Sequence, residues 1–269
     1  MRATLHMTDA DSCLVRNFSY YIDLGEEDVA LLHELEEQEV ALERGKHAYR
    51  RGDDLRCLHV VKTGWLYSYV DLDDGRRQIV KIHHPGDVVG FPDLAVPRAT
   101  VNLMTCESAI VCPFPRRALR AAFDRCPNVA ALLFTLALRD HIIMLDTIRL
   151  LGRMTARERL AFMILDLIAR LRIASGDLTL RSMQIPLNQT EIGDYVGLSN
   201  VHVSRAFKAI EAAGLIEREG KAVTVMMENE LCALSHFENR YLTLDTGWFL
   251  GIGADAVGPA SNSAWPKPA

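Results

Sequence analysis

Several things are missing from this 269-residue chain, and each absence narrows what it can be. It has no excess of positive charge: 30 Lys and Arg stand against 35 Asp and Glu, a net charge of −5. A uniformly basic coat for nucleic acid is therefore excluded, and any DNA contact must be local. The charge is uneven: residues 153–221 hold 10 basic and 8 acidic side chains, whereas residues 1–151 hold 18 and 22. Six cysteines are scattered with no C-x-x-C pair, which argues against a disulfide framework and a structural zinc site and for no resident cofactor. No unbroken run of about 18 apolar residues occurs, so no membrane span is expected. The N-terminal stretch MRATLHMTDADSCLVRN has no apolar signal core, and a cytoplasmic location is the expectation. No nucleophile elbow, Walker loop or paired-carboxylate motif is present, so no enzymatic activity is expected. Internal repeats are absent too.

What is present is ordered along the chain. Residues 25 to about 43 have near-helical apolar spacing at Val29, Leu32, Leu35 and Val40. From Gly45 the texture changes. Glycines recur at 45, 52, 64, 75, 86 and 90, and β-prone runs lie between or beyond them at 59–62, 65–70, 78–83 and 109–114. Asp73-Asp74-Gly75 marks a hairpin. This rhythm predicts a small β-sandwich or barrel, either a plain folded core or a sensor pocket.

Residues 116–125 read as a short helix ended by Cys126-Pro127. A long helix follows over 128–151. Its seam is expected at Val129, Leu133, Leu136, Asp140, Ile143, Thr147 and Leu150, with one side on the β-domain and the other on a partner in a parallel coiled coil. An ordinary buried helix is the alternative. Gly152 would permit a hinge, and a second amphipathic helix is expected over 155–173, ended by Ser175-Gly176-Asp177. About the last 35 residues grow rich in Gly, Ala, Pro and Ser and read as a disordered tail.

The segment NQTEIGDYVGLSNVHVSRAFKAIEAAGLIEREGKAVTVMM, residues 188–227, carries the chemistry. Asn188 and Glu191 have capping-box spacing for a helix over 189–196. Gly193 allows a close neighbour, Gly197 suits a turn, and Ser199 caps a second helix over 200–213. Ile192, Val196, Leu198, Val203, Phe207 and Ile210 supply the buried faces. Two short helices through a glycine turn describe a helix-turn-helix. Its second helix presents Asn200, His202, Ser204, Arg205 and Lys208. These, with Gln189, Thr190, Ser199 and, on a following β-wing, Lys221, form the candidate DNA-contact set. Arg205 is the candidate base reader, because its fork matches the guanine acceptors; Lys208 suits phosphate. A solvated polar face is the plainer alternative.

At these residues a family resemblance appears. TEIGDYVGLSNVHVSRAFKAIEAAGLI resembles the helix-turn-helix of the Crp/Fnr regulators. GKHAYRRGDDLRCLHVVKTGWLYSYVDLDDGRRQIVKIHHPGDVVGF resembles their effector-sensing β-roll, and LGRMTARERLAFMILDLIARL the helix that opens their DNA-binding domain. The resemblance spans about 25–227 and is nearest to Fnr/FixK-like members without the iron–sulfur cysteine group, since only Cys13 precedes residue 57. Two further departures stand out. Val201 occupies a position that often holds Glu in the family's recognition helices. The stretch GDVVGFPDLAVPRATV lacks the Gly-Glu pair of cyclic-nucleotide cassettes, although Arg98 is a candidate anion partner. His83-His84 near Cys57-x-His59 could ligate haem or metal, but strand histidines are more often hydrogen-bonded structural residues.

Together these readings give an α+β protein: a cyclic-nucleotide-binding-like β-roll over 25–127, a dimerisation helix over 128–151, a winged helix-turn-helix over 152–227, and a C-terminal extension over 228–269. The resemblance implies a transcription regulator that binds a palindromic operator as a homodimer and works with RNA polymerase. A small-molecule or redox sensor whose winged helix docks on protein is the alternative.

Overall fold

The computed structural model describes residues 12–242 and 244–250. Eight short strands form two four-stranded antiparallel sheets. β1 (Val40–Leu42), β3 (Cys57–Thr63), β6 (Val88–Val89) and β8 (Ala109–Pro115) make one, in the order β1-β8-β3-β6; β2 (His47–Tyr49), β4 (Leu66–Asp71), β5 (Arg77–His83) and β7 (Asn102–Thr105) make the other, in the order β2-β7-β4-β5. Val61, Leu66, Val89, Leu103 and Val111 fill the space between them. The expected hairpin joins β4 and β5, with Gly75 at φ 82° and the Asp74 carboxylate accepting from the Arg76 amide.

Two helices precede the sheets. α1 (Cys13–Ser19) is capped by Ser12, whose hydroxyl accepts from the Val15 amide. α2 (Glu26–Leu35) is shorter than its apolar spacing suggested. Glu36 turns inward, where its carboxylate accepts from the Leu14 amide at 3.1 Å and the Cys13 thiol at 2.7 Å. The chain then reverses, and Val40 pairs with Val111 as strand instead of continuing the helix.

After α3 (Ala118–Arg125) comes α4 (Pro127–Arg153), 27 residues long. The uncovered face of α4 is not the expected seam. Val129, Leu133 and Leu150 are buried within this chain, and the uncovered apolar face is Phe134, Leu138, Ile142, Leu145 and Ile148. Both sides of α4 are apolar, so periodicity alone does not say which faces inward. By length and composition α4 would also suffice to cross a membrane, although charged residues interrupt its apolar run. Gly152 stays helical with negative φ; the break falls instead at Met154 (φ −90°, ψ 148°).

Thr155 and Glu158 form a capping box that starts α5 (Ala156–Ser175), and Gly176 at φ 73° ends it. This helix is not amphipathic in place. Every position from Leu160 to Arg170 is buried, because the rest of the C-terminal half wraps around it. β9 (Ser182–Gln184), α6 (Gln189–Val196), α7 (Asn200–Ala212), β10 (Ile216–Glu219), β11 (Ala222–Val225) and α8 (Glu228–Ser235) complete that wrapping. Its core of Leu160, Ile164, Ile192, Val203, Phe207 and Val223 runs on without a gap into Tyr67, Ile79 and Ile82 of the β4–β5 hairpin.

The expected tail begins later than the composition suggested. Arg240 pairs with Asp146, Phe237 stacks on Phe162 at 5.2 Å, and Tyr241 is buried with its hydroxyl donating to Asp166 at 2.5 Å. A last short helix, α9 (Gly247–Leu250), lies against α4. Two aromatics, Phe237 and Tyr241, anchor a segment whose small residues come only afterwards; residues 251–269 lie outside the described residues.

Candidate nucleic-acid interface

The helix-turn-helix is built by local rules. Asn188 accepts from the Glu191 amide at 2.9 Å, and Glu191 accepts from the Asn188 amide at 2.7 Å. A Cβ on Gly193 would lie 2.4 Å from the Leu198 carbonyl oxygen, so only glycine lets α6 and the turn approach. Gly197 has φ 66°, the left-handed conformation that closes α6. The Ser199 hydroxyl then caps α7 and is 2.8 Å from His202 Nδ1. Val203, Ala206, Phe207 and Ile210 bury one face of α7. Burying a residue such as Phe207 is worth about 3–5 kcal/mol against alanine, and this holds the opposite face outward.

That outward face carries the expected residues, though not all are equally free. Asn200, His202, Arg205 and Lys208 are exposed, and Ser204 is half-buried. Among the described residues Arg205 and Lys208 have no hydrogen bond or ion pair. The Asn200 amide group donates to the Thr190 hydroxyl at 3.0 Å, which braces α6 against α7. Gln189 and Thr190 are exposed at the start of α6. Lys221 sits beside Gly220 at the tip of the β10–β11 wing, but its ammonium donates to the Pro186 carbonyl at 3.1 Å. Val201 is 56% exposed, an apolar group in the midst of polar ones.

Sequence reasoning passed over Arg159. Its Nε donates to the Met154 carbonyl and one terminal nitrogen to the Leu151 carbonyl, both at 2.8 Å, while the other reaches the Val196 and Gly197 carbonyls at 3.2 and 3.3 Å. One guanidinium thus ties the end of α4 to the turn of the helix-turn-helix. A cation at helix C-termini is favoured there by the dipole. The N-terminal half is joined to α6 as well. Arg77 donates to the Asp194 carboxylate at 2.8 and 2.7 Å, and the Gln78 amide group donates to the Asp194 and Tyr195 carbonyls.

Inside the β-roll, Arg98 is exposed and donates to the Gly52 carbonyl at 3.1 Å. The adjacent turn holds a buried carboxylate, Asp93, which accepts from the Thr100 amide and hydroxyl at 2.9 and 2.6 Å. A negative group fixed there opposes an anionic ligand. Burial pushes the Cys112 and Cys126 thiols up to about 11, and those of Cys13 and Cys106 higher still, the reverse of an activated thiolate. His83 shares a 2.7 Å hydrogen bond with Ser68, as a structural histidine does, and among the described residues no metal-holding group of His, Cys, Asp and Glu occurs.

Two family models match the chain: the Crp-like helix-turn-helix domain over 158–234 and the cyclic nucleotide-binding domain over 39–126. The transcriptional activator protein Anr of Pseudomonas aeruginosa is 31% identical over 214 residues, 80% of this chain and 87% of that protein. The chain belongs to the Crp/Fnr family. It is thus a DNA-binding transcription regulator and not an enzyme. The fumarate and nitrate reduction regulatory protein of Salmonella typhimurium is 26% identical over 223 residues, 83% of this chain and 88% of that protein. Among solved structures, FixK2 from Bradyrhizobium japonicum matches with a TM-score of 0.67 at 28% identity, covering 75% of this chain and 98% of that one. The helix-turn-helix model ends at residue 234, so the packed segment from Ser235 to Leu250 lies beyond it.

Proposed function

We propose that this regulator binds a palindromic operator as a homodimer. Two α4 helices would pair through Phe134, Leu138, Leu145 and Ile148, whose spacing of four, seven and three residues matches a coiled-coil seam. Each α7 enters one major groove, and the two half-sites lie about 34–36 Å apart. The observation that carries this reading is the pair of unpartnered cations on α7, Arg205 and Lys208, held outward by a glycine-gated turn. Arg205 reads a guanine; Lys208, with Ser199, Gln189 and Thr190, holds backbone phosphates; Asn200, His202 and Ser204 contact base edges. Lys221 reaches phosphate by releasing the Pro186 carbonyl. The methyls of Val201 suit a thymine methyl, where an acidic residue would instead accept from cytosine.

The working units are the β-roll over 25–127, α4 as the dimer helix and the winged helix-turn-helix from residue 152. The protein acts in the cytoplasm, with RNA polymerase as its further partner. In quantitative mobility-shift assays, Arg205→Ala should weaken cognate binding by about 1–3 kcal/mol and relax preference at one base position, while Lys208→Ala should reduce the salt slope by roughly one. Unchanged affinity and unchanged preference for Arg205→Ala would remove its assigned role.

A further inference from the structure

A small polar cleft, half open to solvent, lies where the two halves of the molecule meet. Its walls include Asn17 of α1, Tyr21 just after it, His84 and Asp87 of the turn after β5, Arg139 of α4, Arg170 of α5 and Tyr241 of the C-terminal segment. Three buried side-chain nitrogens without partners belong to this one cleft: both ring nitrogens of His84 and Nε of Arg139. A buried polar nitrogen left bare costs about 1–3 kcal/mol, so such a cluster calls for something to satisfy it. His84 is held in place by the Trp65 ring, edge-on at 4.1 Å, and Arg139 by the Tyr241 ring at 5.0 Å, by the Tyr21 hydroxyl and by Asp140.

The charges define what fits. Facing His84 are Lys81 and His83 on β5, Asp87 on its own turn and Arg170 on α5, with Arg139 and Asp140 beyond them on α4. Arg170 pairs with Asp87 and Asp166, and Lys81 and Arg139 both pair with Asp140, so three cations already meet three carboxylates. An entering anion would be unbalanced unless a proton came with it, and His84 is the group placed to take that proton. Once protonated, His84 presents an N–H to the cleft whichever ring nitrogen faces it, and Arg139 Nε is a second bare donor. The complementary ligand is therefore a small group made of acceptors only.

We propose that this cleft binds a small oxyanion, of the carboxylate or nitrate kind, together with one proton. Its walls come from α1, the β-roll, α4, α5 and the C-terminal segment, so occupancy biases the angle between the dimer helix and the DNA-binding half. Arg98 takes no part in it.

The test uses the full chain, titrated with sodium formate, acetate and nitrate against sodium chloride at fixed ionic strength. Melting temperature and histidine ring-nitrogen NMR signals are recorded at pH 6 and pH 7. The expected result is a saturable stabilisation by at least one oxyanion, roughly tenfold tighter at the lower pH as one bound proton requires, with His84 passing to the doubly protonated ring. His84→Phe and Arg139→Met should abolish it. If either variant fails to fold, the His84 signals of the unaltered protein decide the matter. A non-saturating response equal to that of chloride would overturn the proposal. So would saturable binding that leaves the His84 ring neutral, or that survives in both folded variants.

Discussion

Lowering the pH from 7.5 to 5.5 should destabilise this protein sharply, and the cause is three buried histidines. Burial holds His59 at about 4 and His83 at about 3, against an ordinary value of 6.5, and His84 well below 6.5. Each stays neutral in the folded chain over this range, whereas the unfolded chain binds a proton at each below 6.5. A group with a depressed folded value gives stability above its unfolded value and loses it as the pH falls. One pH unit below 6.5 costs about 1.4 kcal/mol per histidine, or about 4 kcal/mol for three at pH 5.5. Domains are typically stable by only about 5–15 kcal/mol, so the loss should be plain in the urea midpoint. Asp87 and Asp140, held low by Arg170 and Lys81 despite burial, lose their contributions only below about pH 4, outside this window. His59→Phe, at a residue packed on the Tyr49 ring at 5.5 Å, should remove about a third of the pH dependence. Equal urea midpoints at the two pH values would refute the reasoning.

Three further outcomes follow from other contacts. Arg159→Met removes four hydrogen bonds to carbonyls at partly exposed helix ends; it should cost about 2 kcal/mol in urea unfolding, and a loss under 0.5 kcal/mol would mean water replaces the guanidinium freely. Ile148→Glu, on a side chain 63% exposed in this chain, should leave the monomer fold intact by circular dichroism yet shift sedimentation toward the single-chain mass; an unchanged dimer would move the seam elsewhere. Val201→Glu should change the preferred base at one position per half-site in a DNA selection, and identical preferences would show that this side chain stays clear of the bases.

The winged helix-turn-helix was legible in the sequence because its determinants are local. Asn188 with Glu191, the two glycines and Ser199 each act within a few residues, and the structure uses each as its type suggests. The β-hairpin at Asp73–Gly75 was legible for the same reason. The inward face of α4 was not, since apolar side chains ring most of the helix and only tertiary contacts choose among them. Nor was the junction of the two halves. Asp166 and Tyr241 are 75 residues apart, Arg77 and Asp194 are 117 apart, and in a sequence each looks like an ordinary surface charge or a lone aromatic. Arg159 was hidden in the same way, because its four partners are backbone carbonyls that no residue type announces.

Selection from a random-sequence DNA pool with the purified full chain, followed by the protein-to-DNA stoichiometry on the winning sequence, tests the central claim most directly. The account predicts an inverted repeat whose half-sites are one helical turn apart, bound by two chains per duplex. Enrichment of no sequence at all, or a single unrepeated site occupied by one chain, would contradict it.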